Sequence, residues 1–191
     1  MKVLGINGSA RRDGNTAVLI KSVFNELENE GIETELFQLS GKKIHGCKAC
    51  MKCFENKDNR CAFDDDDFNE CLAKMIEADG IILGSPTYFT DVTAEMKGLI
   101  DRAGFVSFAN DRFFRRKTGA AVVAVRRAGS IHVFDTLNHF FFISEMMVPG
   151  SSYWNMGFGM KKGDVKKDEE GLRTMKVLGE NMAWMMKRLY A

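Results

Sequence analysis

The chain has 191 residues, with Lys+Arg 27 against Asp+Glu 26 and a formal net charge of +1. That length allows one domain with a full core and no need of disulfide support, and the charge balance lacks the basic excess of a nucleic-acid binder. No run approaches the roughly eighteen apolar residues of a membrane span, and the N-terminal apolar run is too short for a signal segment, so a cytoplasmic protein with no nucleic-acid or membrane partner is expected.

Residues 2–6 (KVLGI) read as a buried strand that enters a tight turn at Asn7-Gly8-Ser9. From Thr16 the pattern becomes helical: Ile20, Val23, Phe24 and Leu27 fall at i, i+3, i+4 and i+7, and the helix stops before Gly31. Residues 33–39 (ETELFQL) alternate and read as a second strand. An irregular, cysteine-rich insertion follows at about 45–66. Asp67 then has the place of a helix N-cap, with Glu70 as its capping-box partner, and the helix carries Leu72, Met75 and Ile76 inward before ending near Ala78.

Residues 80–85 (GIILGS) form a fully apolar strand, and a helix over 92–105 presents Met96, Leu99 and Ile100 on one face. Residues 120–125 (AAVVAV) are another buried strand, followed by a helix over 134–144 and a fifth strand over 147–153. The terminal helix starts at Glu169 and buries Leu172, Met175, Leu178, Met182 and Leu189. Strands that are continuously apolar and alternate with helices indicate a parallel sheet covered on both faces. Five strands and five helices, without a repeat or a linker, give one doubly wound α/β domain over 1–191, in a Rossmann-like or flavodoxin-like order.

Two turns carry chemistry. After the first strand comes GSARRDGNT (8–16), with hydroxyls at Ser9 and Thr16, an amide at Asn15 and a guanidinium at Arg11 or Arg12, all at a helix N-terminus. It lacks the Lys of a Walker loop and the dinucleotide glycine spacing, yet exposed amides and the helix dipole favour an anion there. The second is GSPTYFTDV (84–92), where Pro86 stiffens the loop and Tyr88 and Phe89 add flat apolar surface. Ligands of open parallel sheets bind beyond the carboxyl ends of the strands, where the winding reverses. A planar ring system whose phosphate sits on 8–16 would reach the second loop.

The third feature is CKACMKCFENKDNRCAFDDDD (47–67), with Cys47, Cys50 and Cys53 at three-residue intervals and Cys61 after seven more residues. Five cysteines in all, four of them crowded together, is the pattern of an intracellular metal or redox site and not of a disulfide framework. Four thiolates suit an iron–sulfur cluster, a zinc ion or a redox disulfide. Zinc sites usually draw two ligand pairs from separated segments, whereas three ligands this close match the compact runs that wrap one Fe–S cube; a metal-free arrangement stays open. Cys71 reads as buried packing, His45 as a solvated loop residue, and Asp64 to Asp67 as favouring the positive end of the next helix. The run RFFRRK (112–117) reads as a loop with buried phenylalanines, with a subunit contact or a docking patch for an acidic electron donor as the alternative. Met146, Met147, Met182, Met185 and Met186 read as core, and Tyr153 and Trp154 as covering a ligand or a subunit interface.

Together these residues resemble the NAD(P)H-dependent FMN reductase branch of the flavodoxin-like superfamily. The G-S-x-R-x-x-G-N-T turn, the G-S-P-x-Y-F loop and AEMKGLIDR (94–102) carry the resemblance, and C-x2-C-x2-C-x7-C followed by Asp-Asp is similar to the iron–sulfur flavoproteins of that branch. The resemblance implies a flavodoxin-like five-stranded parallel sheet in the order 2-1-3-4-5 with helices on both faces. It implies FMN held by Ser9, Arg11, Asn15 and Thr16 at the phosphate and by Pro86, Thr87, Tyr88 and Phe89 at the ring. The loop after AAVVAV, with Arg126 and Gly129, would complete the ring pocket, although Arg126 and Arg127 replace the family's glycine-rich pattern there. It further implies a [4Fe–4S] cluster on Cys47, Cys50, Cys53 and Cys61, with no general acid or base required of the protein. Electrons would pass from NAD(P)H or a ferredoxin-like donor to a quinone, oxygen species, free flavin or protein acceptor, in a homodimer or homotetramer. A metal-free FMN or quinone reductase and a cysteine-based redox sensor are the competing readings.

Overall fold

The computed structural model, which describes residues 1–190, joins five strands into one all-parallel sheet in the order β2-β1-β3-β4-β5. The strands are β1 (Lys2–Asn7), β2 (Glu33–Gln38), β3 (Gly80–Pro86), β4 (Thr118–Val125) and β5 (Met156–Phe158). The helices are α1 (Asn15–Asn29), α2 (Lys52–Asn56), α3 (Phe68–Glu77), α4 (Ala94–Ala109), α5 (Ser130–Ile143) and α6 (Glu169–Leu189). No helix is long and apolar enough to cross a membrane among the described residues.

The continuous apolar character of β1, β3 and β4 follows from their position, because each is covered on both faces. On one face lie α1 and α6, whose Leu19, Ile20, Val23, Phe24, Met175, Leu178, Met182 and Met186 pack over Val3, Ile82, Ala120 and Val122. On the other lie α3, α4 and α5, whose Phe68, Leu72, Met75, Met96, Leu99, Leu137 and Phe141 pack over Leu4, Ile6, Ile81, Leu83, Ala121 and Val123. Helix α1 ends as its sequence requires. Gly31 takes φ +76, and the Gly31 and Ile32 N–H groups bond back to the Glu28 and Leu27 carbonyls.

Four expectations need correction. The fifth strand is not 147–153. Met147 makes one isolated bridge to Thr118, after which the chain leaves the sheet and returns only at Met156 to pair with Val123. Pro149 has no N–H to give a ladder and is followed by Gly150, so the apolar run cannot continue as a strand. The Asp67–Glu70 capping box does not form: the Asp67 carboxylate accepts from the Lys43 N–H at 2.6 Å, and Glu70 pairs with Lys42. The cysteine insertion is not wholly irregular, because it contains α2, which makes six α-helices among the described residues in place of five. Finally, Leu189 and Met147 are exposed and Met185 is only half-buried, while Met146, Met182 and Met186 do lie in the core. Cys71 is buried and His45 exposed, as their neighbours suggest.

Candidate functional site

Strand order reverses between β1 and β3, and the loops leaving those two strands border a cleft of about 160 Å³. Ser9, Arg11, Asn15, Thr16, Pro86, Thr87, Tyr88 and Arg126 line it, joined by Ala124, Val125, Gly159 and Met160. The turn at 8–14 is shaped from below by buried Asn7, which accepts from the Ser9 N–H at 3.1 Å and donates to Gln38 Oε1 at 2.7 Å. Gln38 in turn donates to the Ser9 carbonyl at 2.7 Å, so β2 helps to hold the turn.

Helix α1 has no side-chain cap, so its first-turn N–H groups keep their capacity to bind a ligand at the cleft floor. Arg11 arches over the mouth, its Nη1 donating to the Met160 carbonyl at 3.3 Å, and the neighbouring Arg12 does not line the cleft. The Thr87 hydroxyl is buried without a partner although its own N–H is bonded to the Ala124 carbonyl. A buried orphan hydroxyl in a cleft wall is suited to a polar ligand. These features fit a phosphate-bearing planar group such as FMN.

Asn15 has a task the sequence does not reveal. Its amide oxygen accepts from the Gly163 N–H at 2.9 Å and its nitrogen donates to the Lys161 carbonyl at 3.0 Å. This binds the loop after β5 to the start of α1 and brings Gly159 and Met160 to the cleft. Two expected members stand outside the cleft lining. Phe89 is fully exposed at a two-residue turn closed by Tyr88 and Asp91, with Phe89 and Thr90 both at left-handed φ (47 and 64). Such a conformation is costly for a β-branched residue and persists only where the surroundings impose it. Gly129, at φ +85, packs against that turn: a Cβ there would lie 2.7 Å from the Thr90 methyl. Gly129 therefore positions the loop that carries Tyr88, and does not itself face the cleft.

The four motif cysteines line one second, small cavity of about 30 Å³, walled also by Arg102, Phe105 and Val106 of α4. Cys47 and Cys50 are exposed at its rim, and Cys53 and Cys61 are half-buried. Ala49, Met51, Lys57 and Asn59 all take left-handed φ, and the Ala49 N–H points to the Cys47 sulfur at 3.4 Å. Left-handed residues alternating with ordinary ones turn successive N–H groups toward one point, a concavity suited to an anion or an iron–sulfur group. Burial pushes the Cys53 thiol above its ordinary pKa, with the neighbouring Cys61 and Cys47 adding to the effect. Among the described residues, no three His, Cys, Asp or Glu side chains meet closely enough to hold a single metal ion; the cysteines stand around the cavity wall. The chemistry of this donor set fits a polynuclear group bound at its corners.

Three side chains that motif spacing did not single out hold the cysteine segment to the fold. Asn69 accepts from the Cys61 N–H at 2.9 Å and donates to the Cys61 carbonyl at 3.0 Å and to Asp64 Oδ1 at 2.9 Å. Asn110 accepts from the Asn59 N–H at 2.9 Å. Arg102, 3% exposed, donates to the His45 carbonyl at 3.3 Å, to the Phe63 carbonyl at 3.1 Å and to the buried carboxylate of Asp66. Burial alone would raise the Asp66 pKa, but Arg102 and the His45 and Phe68 N–H groups outweigh it and hold the carboxyl below its ordinary value. The only sequence signal for these residues was their placement: Asn69 opens the helix after the motif, and Arg102 ends AEMKGLIDR.

An all-parallel sheet in the order 2-1-3-4-5 with a cleft at the switch point defines the flavodoxin-like class of fold. Residues 1–161 match the family model described as NADPH-dependent FMN reductase. An iron–sulfur flavoprotein of Methanocaldococcus jannaschii is 40% identical over 194 residues, covering 98% of this chain and 98% of that one. One from Archaeoglobus fulgidus is 33% identical over 195 residues, again covering 98% of both. Among solved structures, RosB with a bound 8-demethyl-8-formylriboflavin-5'-phosphate intermediate aligns at TM-score 0.76 and 19% identity, over 99% of this chain and 80% of that one. An NAD(P)H:quinone oxidoreductase from Methanothermobacter marburgensis aligns at TM-score 0.67 and 14% identity, over 95% and 96%; at such identities the likeness shows the fold. The chain belongs to the NADPH-dependent FMN reductase family, in which its full-length curated relatives are iron–sulfur flavoproteins, and it is an FMN-dependent oxidoreductase.

Proposed function

We propose that this flavoprotein carries two redox centres: FMN in the switch-point cleft and a [4Fe–4S] cluster on Cys47, Cys50, Cys53 and Cys61. The observation that carries the second centre is that all four motif cysteines, Cys53 on α2 and the others on the turns flanking it, line the same cavity. When bound, FMN and the cluster supply the hydride and one-electron chemistry between them.

The chain's own residues bind and orient. In this reading the first turn of α1, Ser9 and Thr16 receive the phosphate, with Arg11 closing over it. Asn15 holds the 159–163 loop against them. Pro86, Thr87 and Tyr88 would receive the ring, the unpartnered Thr87 hydroxyl being available to hydrogen-bond to it. Arg126, exposed at the mouth, offers a positive charge to a reduced anionic ring or to the phosphate of an incoming nicotinamide nucleotide. Gly129 and Phe89 act through the Tyr88–Asp91 turn that they shape.

The substrates of this reading are a reductant, NAD(P)H or a ferredoxin-like protein, and a quinone, oxygen species, free flavin or protein acceptor, in a cytoplasmic homodimer or homotetramer. Exposed Tyr153, Trp154, Phe142 and Ile143 support self-association.

Anaerobic purification tests both centres. The expected result is a flavin spectrum with a broad shoulder near ~400 nm that bleaches in air, and iron and sulfide each at about four per chain. A plain two-banded flavin spectrum with no iron, even after anaerobic reconstitution with ferrous iron and sulfide, overturns the cluster. Absence of flavin after soaking with FMN overturns the cleft assignment.

A further inference from the structure

Among the described residues, Arg102 is the one cation that reaches the cysteine cavity from the folded body of the protein, since Lys48 lies on the insertion itself. It comes from α4, in the main core, and is 3% exposed. Its bonds run to both limbs of the insertion. The His45 carbonyl lies just before Cys47, and the Phe63 carbonyl and the Asp66 carboxylate lie just after Cys61. The guanidinium carbon sits over the Phe68 ring, 3.9 Å from its centre, a cation–π contact that adds to these bonds. Gly98, one turn earlier on the same helix face, lets the His45 carbonyl approach the α4 backbone.

We infer that Arg102 is the positioning residue of the cysteine site: it ties the two ends of the insertion together, and its fixed positive charge stands beside Cys61 to stabilise the electron-rich form of the group the thiolates hold. The first half follows from the bonds above and needs no ligand. The second half rests on the cluster reading. A cluster with four thiolate ligands is anionic and gains a further negative charge on reduction, and nearby charge and hydrogen bonds to its sulfurs set its potential. A guanidinium is suited to this place because it stays protonated when buried and can serve several acceptors from one rigid plane. Arg102 and Cys61 line the same cavity, and the guanidinium is held there by its ion pair with the Asp66 carboxylate.

The inference predicts different effects for two substitutions. Arg102→Lys keeps the charge and loses the fork; Arg102→Gln loses both. Because Arg102→Gln leaves the Asp66 carboxylate buried and unpaired, which is itself destabilising, the double variant Arg102→Gln with Asp66→Asn serves as the neutral counterpart.

Two measurements test the two halves separately. In cluster-free protein with FMN bound, amide hydrogen exchange over residues 45–63 should quicken by roughly tenfold or more in every variant, as expected for loss of charge-assisted bonds, while exchange in β1, β3 and β4 stays unchanged. In anaerobically reconstituted protein, an EPR-monitored titration should place the cluster potential of Arg102→Gln below that of the native protein, with the double variant, which also loses the Asp66 negative charge, lying between them. Arg102→Lys should keep nearly the native potential but yield iron to a chelator faster. Unchanged exchange over 45–63 overturns the positioning role. A native-like potential in Arg102→Gln overturns the electrostatic role. If the native protein takes up no iron and sulfide, the cluster reading fails and the electrostatic role with it, while the exchange measurement still decides the positioning role.

Discussion

Gly98 stands so close to the His45 carbonyl oxygen that a Cβ built on it would lie 3.1 Å away. This is one of the places where the cysteine insertion touches the main fold, on the same helix that contributes Arg102. Alanine at this distance needs the loop to move by only a few tenths of an ångström, whereas Gly98→Val adds two further methyl groups against backbone that is itself pinned by Arg102. Overpacking of this kind typically destabilises by about 1–3 kcal/mol. Gly98→Val is expected to raise thiol-labelling rates at Cys47 and Cys50 and to lower iron uptake, with FMN affinity unchanged. Parallel thiol-labelling and flavin titrations would check this.

Asn69 imitates a strand partner for Cys61, bonding both its N–H and its carbonyl. Asn69→Ala removes those bonds together with the one to Asp64, and Asn69 is itself buried. Leaving the Cys61 backbone groups unpaired should destabilise the protein by about 1–3 kcal/mol. Urea unfolding would show the loss, and faster labelling of Cys61 than of Cys71, which stays in the core, would locate it.

Arg11 and Arg12 are adjacent in sequence but differently placed. Arg11 lines the cleft and reaches the Met160 carbonyl, whereas the Arg12 guanidinium lies over Gly41, outside it. If the cleft takes the FMN phosphate at the α1 terminus, Arg11→Ala should weaken FMN binding by roughly tenfold to a hundredfold, the equivalent of about 1.5–3 kcal/mol for a charge-assisted bond. Arg12→Ala should change it less than about threefold. Fluorescence quenching of added FMN measures both, and equal effects would remove Arg11 from the phosphate site.

Glu35 on β2 is bonded to Lys2 at 2.7 Å and to Lys74 at 2.6 Å. Lys2, then Lys74, hold its carboxyl below the ordinary value, against the opposing effect of burial. A carboxyl whose folded pKa is depressed contributes stability above its unfolded pKa and loses it as pH falls through the folded value. Glu35→Gln should therefore be less stable than the native chain by about 0.5–1 kcal/mol at neutral pH, a modest figure because the group is partly solvated. The difference should begin to shrink as pH falls below the ordinary carboxyl value of about 4.3 and vanish only below the depressed folded value. Urea midpoints at pH 7 and pH 3 would show whether it does.

The sheet and its helices were legible because their signal is local. Continuous apolar runs over β1, β3 and β4, and 3.6-residue periodicity over α1 and α6, report burial directly. The fifth strand was misplaced because Met146, Met147 and Val148 are apolar enough for a strand, while the pairing is set by where Pro149 releases the chain and where Asn155 regains β4. The capping box failed for a related reason. Asp67 has the right residue type at the right spacing, but its carboxylate is taken by Lys43, which no local pattern brings near.

By itself the sequence determined the doubly wound class, the two turns at the strand ends and the cysteines competent to share a site, since each depends on residue type and short-range spacing. Only the tertiary structure decided which residues meet. It gathered four cysteines around one cavity, brought Gly159 and Met160 to the phosphate turn through Asn15, and set Phe89 outside the cleft that its neighbour Tyr88 lines. It also joined Arg102 to Asp66 across 36 residues of chain. Contacts of that kind are fixed by how packed elements cross in space, and periodicity along the chain carries no record of it.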